Sequence, residues 1–211
     1  MLELINSEKY ITISRPAGKV IKYIREQKNA GRQLRVAEIG IGIGATTVEA
    51  MKLLDKNDSY YLFDFEDRTS ELKRDLEQLD FCKAQIKEFG NSRKNYDSYS
   101  WNLAKLWQNS KEKDLFDVVY LDGLHSFFHD GLACCLLKKC CKSGAVIFFD
   151  DIDWAFSDSN AMSAFGFENF TEEQANAYQI AMVVDIFMKD DPQWELMEDF
   201  STKHRVAFRR R

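Results

Sequence analysis

Apolar positions along this chain follow two alternating spacings. Short apolar runs at residues 35–40, 59–65, 84–89, 116–121 and 144–149 predict strands. The segments 45–54, 69–79, 96–108 and 127–141 between them predict helices, as with Leu72, Leu76 and Leu79 in the second. An N-terminal helix is expected within 14–30, its core running from Pro16, near the first turn, to Gln27. The alternation predicts an α/β fold: a Rossmann-like, doubly wound, mostly parallel sheet with helices on both faces. Residues 152–171 break the pattern and are rich in aromatics, including Trp154, Phe156, Phe165, Phe167 and Phe170. Thr171 and Gln174 have capping-box spacing and predict a helix running to about Met188. Two strand-like runs, Trp194–Phe200 and His204–Phe208, would close the sheet as an antiparallel hairpin, giving seven strands.

The stretch Arg35–Thr47 carries the most chemistry. A strand runs into Gly40, Gly42 and Gly44, where the backbone can approach a ligand, and a helix with free N–H groups follows. Glu38 stands just before the glycines, and a carboxylate there suits a ligand bearing positive charge. The turn alone fits S-adenosylmethionine (SAM) and, through Gly40, Gly42 and Ala45, the dinucleotide pattern of NAD equally well.

In an open α/β sheet ligands bind beyond the carboxyl ends of the strands. Asp64 ends the second strand about 20 residues past the glycines, where a carboxylate can take ribose hydroxyls. Gly90-Asn91-Ser92 is expected as a polar turn that could meet an adenine edge. Asp122 ends the fourth strand, and Asp150 and Asp151 end the fifth. Three carboxylates gathered there would repel one another, and a hard cation such as Mg²⁺ would relieve them; otherwise they act as helix and turn caps. His125, three residues beyond Asp122, could act as a general base. His125 and His129 also form an H-x-x-x-H pair, although the glutamate of the zinc-protease motif is absent. His204 has no evident partner.

Composition narrows the field. The 211 residues, 45% hydrophobic and 13% aromatic, suit one domain spanning 1–211, with no linker or repeat. A net charge of −5 disfavours a nucleic-acid surface. No signal-peptide pattern or membrane-length apolar run is present, which predicts a cytoplasmic protein. Cys134, Cys135, Cys140 and Cys141 lack C-x-x-C spacing and are expected as buried small hydrophobes.

Taken together, these residues resemble the class I SAM-dependent methyltransferases. The likeness runs from about residue 34 to 190 and is closest to the metal-dependent O-methyltransferases of the macrolide-sugar O-methyltransferase and cephalosporin-hydroxylase-like group. Glu38-x-Gly-x-Gly-x-Gly44 matches that family's E/D-x-G-x-G-x-G motif, Asp122-Gly-Leu-His125 its D-G-x-H segment, and Asp150-Asp151 its second acidic pair. The resemblance implies SAM contacts by Glu38, Gly40, Gly42, Gly44, Thr46, Asp64, Asn91 and Asp122. It implies a metal, Mg²⁺ or another divalent cation, on Asp122, Asp150 and Asp151, and His125 as catalytic base. The implied activity is methyl transfer to a hydroxyl of a small-molecule acceptor, of sugar or natural-product type. It also implies a homodimer, joined through the N-terminal helix or the last strands. The chain departs from the family at Phe127-Phe128 and in the 152–171 loop, which would shape the acceptor pocket. An NAD-dependent oxidoreductase or epimerase and a non-catalytic SAM-binding subunit are the alternatives.

Overall fold

Strand β4 (Phe116–Leu121) is buried at every position, as a central parallel strand covered on both faces must be. It pairs in parallel with β1 (Arg35–Ile39) on one side and β5 (Cys141–Phe149) on the other. Outward from β1 lie β2 (Ser59–Phe65) and β3 (Gln85–Asn91), also parallel. Beyond β5 come β7 (Val206–Arg210) and β6 (Trp194–Leu196), both in antiparallel pairings. The seven-stranded order is β3-β2-β1-β4-β5-β7-β6, so the doubly wound sheet with an antiparallel end is the one expected. The computed structural model describes residues 1–5, 7, 14–94, 96–160 and 162–211.

Helices α1 (Gly18–Asn29), α2 (Ala45–Met51) and α3 (Glu66–Leu76) cover one face; α4 (Tyr99–Asn109), α5 (Phe127–Cys140) and α8 (Gln179–Phe187) cover the other. The strands feed both layers by period-two alternation: Val118 and Tyr120 face the first, Val119 and Leu121 the second. Among the described residues no helix is long and apolar enough to cross a membrane.

Four boundaries differ from expectation. Helix α3 starts at Glu66, directly after β2, because Glu66 and Asp67 suit the positive end of a helix. Gly90 and Asn91 belong to β3, in register with Asp64 and Phe65, rather than to a turn. The helix expected over 171–188 is two: α7 (Glu172–Asn176), opened by the Thr171–Gln174 capping box, and α8. The break frees Gln179, whose Oε1 accepts from the Phe127 N–H at 2.7 Å while its Nε2 donates to Gln174 O at 2.8 Å. Within 152–171 the chain forms a helical turn at Phe156–Asp158 and the short helix α6 (Ser163–Asn169). The expected run to Phe200 is strand only to Leu196, with a helical turn over Glu198–Phe200.

The strand ends are drawn together by backbone. Asp122 N donates to Ile39 O at 2.9 Å, Asp150 N to Leu121 O at 3.0 Å, and Gly40 N to Phe63 O at 2.8 Å. Gly40 has φ +83°, and a Cβ there would stand 1.8 Å from Asp122 O. Gly40→Ala is therefore expected to destabilise the fold by about 3 kcal/mol or more in denaturant titration. Gly18→Ala, at the start of α1 with open space around it, should be neutral or stabilise by up to about 1 kcal/mol. An unaffected unfolding midpoint in Gly40→Ala would show that the strand ends do not need this approach.

Candidate active site

The glycine turn follows β1. Gly40, Gly42 and Gly44 all have positive φ, but for different reasons. Gly40 is crowded by Asp122, and Gly44 by Leu72, whose Cδ1 would lie 2.6 Å from a Cβ. At Gly42 a Cβ would meet only Ser14 Oγ at 3.7 Å, so this is the glycine whose face stays open to a ligand.

Glu38 lies beneath that turn, 2% exposed. Its Oε2 accepts from Thr47 Oγ1 at 2.5 Å and from Tyr60 OH at 2.7 Å. Burial pushes its carboxyl up to about 8 against the pull of those two bonds, and Asp122 and Asp64 push the same way. Glu38 thus ties β1, β2 and α2 together from below. Thr46 Oγ1 accepts the Ala17 N–H at 3.0 Å, which anchors the approach to α1.

Asp64 accepts from the N–H of Ile41 at 2.9 Å and of Phe65 at 2.6 Å, bracing the glycine turn from the end of β2. Burial raises its pKa, and those N–H bonds oppose the rise. At the end of β3, Asn91 donates through Nδ2 to Ser92 O at 3.2 Å and Asp97 O at 3.4 Å. Its Oδ1 is buried without a protein donor. Asn91 lines a shallow cavity of about 320 Å³ with Glu66, Asp67, Ser70, Ser92 and Arg93. Arg93 bonds both Asp67 oxygens at 2.9 Å, with its guanidinium 4.5 Å from the centre of the Phe65 ring.

The ends of β4 and β5 hold the second half of the site. Among the described residues, donor atoms of Asp122, His125 and Asp151 all lie within 4.8 Å of one another. His125 Nε2 is 3.8 Å from Asp122 Oδ1, and its Nδ1 is 3.5 Å from Asp151 Oδ2. Both His125 (φ 60°) and Asp151 (φ 52°) occupy the left-handed region. Burial, together with the neighbouring Asp150 and Asp151, raises the pKa of Asp122 well above the usual range. Burial raises Asp151 as well, and His125 opposes that rise.

Asp150, expected among the metal ligands, is held here by protein partners. Its Oδ2 contacts Arg205 Nη2 and Tyr120 OH, and its Oδ1 accepts the Asp151 N–H at 3.1 Å. Tyr120 OH also lies 2.9 Å from Asp122 Oδ2. Arg205 pairs with Asp150, while His125 stands between Asp122 and Asp151. The oxygens of Asp122 and Asp151 fit a hard divalent ion that keeps waters or substrate oxygens as its other ligands, which leaves the His125 imidazole free.

Below this cluster Asp130, fully buried, accepts from Tyr99 OH at 2.7 Å and from the Ser126 N–H at 2.9 Å, fixing the turn that carries His125. Gly123 is packed against that pair: a Cβ would stand 2.3 Å from Asp130 Oδ1. His129 turns to Ser126, Nδ1 to Oγ at 2.9 Å, and stays out of the cluster. Trp154, from the aromatic loop, lies 5.0 Å ring to ring from His125. His204 pairs with Asp153 at 2.7 Å. Cys134, Cys140 and Cys141 are buried free thiols, and burial raises the pKa of each.

Glu38 generates a pH prediction. Folding raises its pKa from the ordinary 4.5 to about 8, so the native chain keeps a proton that the unfolded chain releases. Stability from this group is greatest at acid pH and is lost as pH rises through that window. Glu38→Gln keeps an acceptor oxygen for Thr47 and Tyr60 and has no such proton. Its stability relative to the parent should improve by on the order of 1–3 kcal/mol between about pH 5 and pH 8, read from urea midpoints. Parallel pH profiles for the two proteins would refute the protonated Glu38.

A methyltransferase-domain family model matches residues 37–152, more than half of the chain. No curated protein matches it in sequence. Among solved structures it is similar to the O-methyltransferase TomG from Streptomyces achromogenes, involved in tomaymycin synthesis and in complex with SAM: 12% identity, 89% of this chain and 76% of that one, TM-score 0.56. It is similar to an O-methyltransferase from Bacillus cereus in complex with SAH: 11% identity, 93% of this chain and 82% of that one, TM-score 0.59. It is also similar to cofactor-bound Rv0187 from MTB: 14% identity, 94% of this chain and 82% of that one, TM-score 0.60. At such identities the likeness to these structures is one of fold. The glycine turn, Asp64, Asn91, Asp122, His125 and the Asp150-Asp151 pair all fall inside the matched segment, and the chain belongs to the methyltransferase-domain family.

Proposed function

We propose that this methyltransferase transfers the methyl group of SAM to a hydroxyl of a small molecule, of sugar or natural-product type. The observation that carries the proposal is His125, poised between Asp122 and Asp151 where β4 ends against the glycine turn. SAM supplies an electrophilic methyl carbon when bound, and a divalent cation would lower the pKa of an acceptor hydroxyl.

The chain's own groups divide the remaining work. Asp64 braces the turn and offers its remaining lone pairs to ribose hydroxyls. The unpartnered Oδ1 of Asn91 is suited to an exocyclic adenine amino group, a donor it otherwise lacks. Gly42 leaves room for the ligand, while Glu38 and Thr46 hold the turn in shape from behind. His125 takes the acceptor proton, oriented by Asp130 through the Ser126 turn. Asp122 and Asp151 would hold the cation, with Asp150 kept on Arg205. Trp154 offers a ring face to the acceptor beside His125, suited to a sugar or an aromatic ring. The free cysteines support a reducing, cytoplasmic setting, and the net charge of −5 speaks against nucleic acid as acceptor.

One observation favours a second reading in which no cation takes part: Arg205 already places positive charge beside Asp150 and Tyr120. The His125 base is common to both.

Isothermal titration should give micromolar SAM binding and no NAD binding. His125→Ala should keep that binding while turnover of hydroxylated sugars or phenols falls by roughly 10²–10⁴-fold. Turnover within a few-fold of the parent would remove His125 from the mechanism. Dialysis against EDTA should abolish turnover, and Mn²⁺ or Mg²⁺ should restore it; full activity after chelation would select the cation-free reading.

A further inference from the structure

Helices α5 and α8 pack side by side, with Phe127 stacked on Phe187 and Gly131 close against Val183. Each already buries an apolar face: Ala133, Cys134 and Leu137 on α5, and Ile180, Val183 and Val184 on α8. Their outer faces are apolar too. Phe128 and Leu132 on α5 are 68% and 52% exposed, and Met182 and Ile186 on α8 are 44% and 59% exposed. Trp101, on the adjoining α4, is 58% exposed. A helix that is apolar all round is normally covered all round.

For side chains of roughly 150–250 Å² each, these five exposures leave about 500 Å² of apolar surface on one layer of the molecule. That is at the upper end of what monomers show. It also matches a stable interface, which buries about 800 Å² per partner, some 55–65% of it apolar. Asp185, the charged residue of α8, pairs with Lys189 just beyond the helix end at 3.5 Å, so the stripe presents no single-sign field against a copy of itself. An apolar, self-compatible strip suits a two-fold isologous contact.

We propose that this chain forms a homodimer through the α4–α5–α8 face, with Phe128, Leu132, Met182 and Ile186 at its centre. This face is distinct from the N-terminal helix and the last strands. It does not depend on which cofactor or acceptor the site takes.

Sedimentation velocity across about 1–100 μM protein tests it. The parent chain is expected at twice the chain mass, and the double variant Leu132→Glu/Ile186→Glu at the chain mass, with unchanged far-UV circular dichroism. Arg25→Glu, on the opposite layer, should remain dimeric. If the double variant fails to fold, Phe128→Ser and Met182→Lys are measured singly, each expected to weaken dimerisation at least tenfold. A parent that sediments as a monomer throughout would overturn the proposal and leave the face to another kind of partner. A dimer that survives the substitutions would overturn it in favour of a different face.

Discussion

The constraint on which this site depends is the crowding of carboxylates at the ends of β1, β2, β4 and β5. Glu38, Asp64, Asp122, Asp150 and Asp151 gather at the carboxyl edge of the sheet, and ionised acids cannot crowd together there without compensation. The chain compensates each differently. Glu38 is buried deeply enough to keep its proton near neutral pH, with Thr47 and Tyr60 as donors. Asp64 receives two backbone N–H groups from the turn it braces. Asp150 has Arg205, and Asp130, one level down, has Tyr99 and the Ser126 N–H. Asp122 and Asp151 remain, with His125 between them. These three groups are therefore the ones left to face the chemistry.

Much of this was legible in the sequence because it is local. Strand periodicity placed β1, β2, β4 and β5, the chain's alternation pointed to the doubly wound sheet, and the two strand-like runs after residue 190 pointed to its antiparallel end. The glycines marked the turn, and Asp64, Asp122 and His125 follow their strands closely enough that a strand end alone locates them. The match to a methyltransferase-domain family supports the methyltransferase reading over the dehydrogenase that the bare glycine pattern also allows.

What the sequence hid is non-local. Arg205 sits in the turn between β6 and β7, 55 residues from Asp150, and no spacing rule connects them. Only the insertion of β7 beside β5 brings them together, and that pairing holds Asp150 on Arg205, apart from the grouping of Asp122, His125 and Asp151. Gly90 and Asn91 look like turn residues by composition. They are strand because Gly90 must let the backbone of Glu66 approach, where a Cβ would stand 2.5 Å from its Cα. Likewise the break between α7 and α8 follows from Gln179 capping α5, a partner 52 residues away.

The two strained residues of the site follow from the same crowding. A non-glycine residue in the left-handed region costs roughly 1–3 kcal/mol, and such residues persist only where their surroundings over-determine them. His125 and Asp151 are the two, at the ends of neighbouring strands, and each is pinned from both sides. His125 lies between Asp122, whose N–H is bonded to β1, and Ser126, whose N–H is bonded to Asp130. Asp151 lies between Asp150, locked on Arg205, and Ile152, whose N–H donates to His204 O at 3.1 Å. With an ordinary backbone at either position, the side chain would leave the strand end in another direction and the three donors would separate. The strain is thus the local consequence of aiming a base and two carboxylates at one point, and the buried pairs around them hold that aim in place before any ligand arrives.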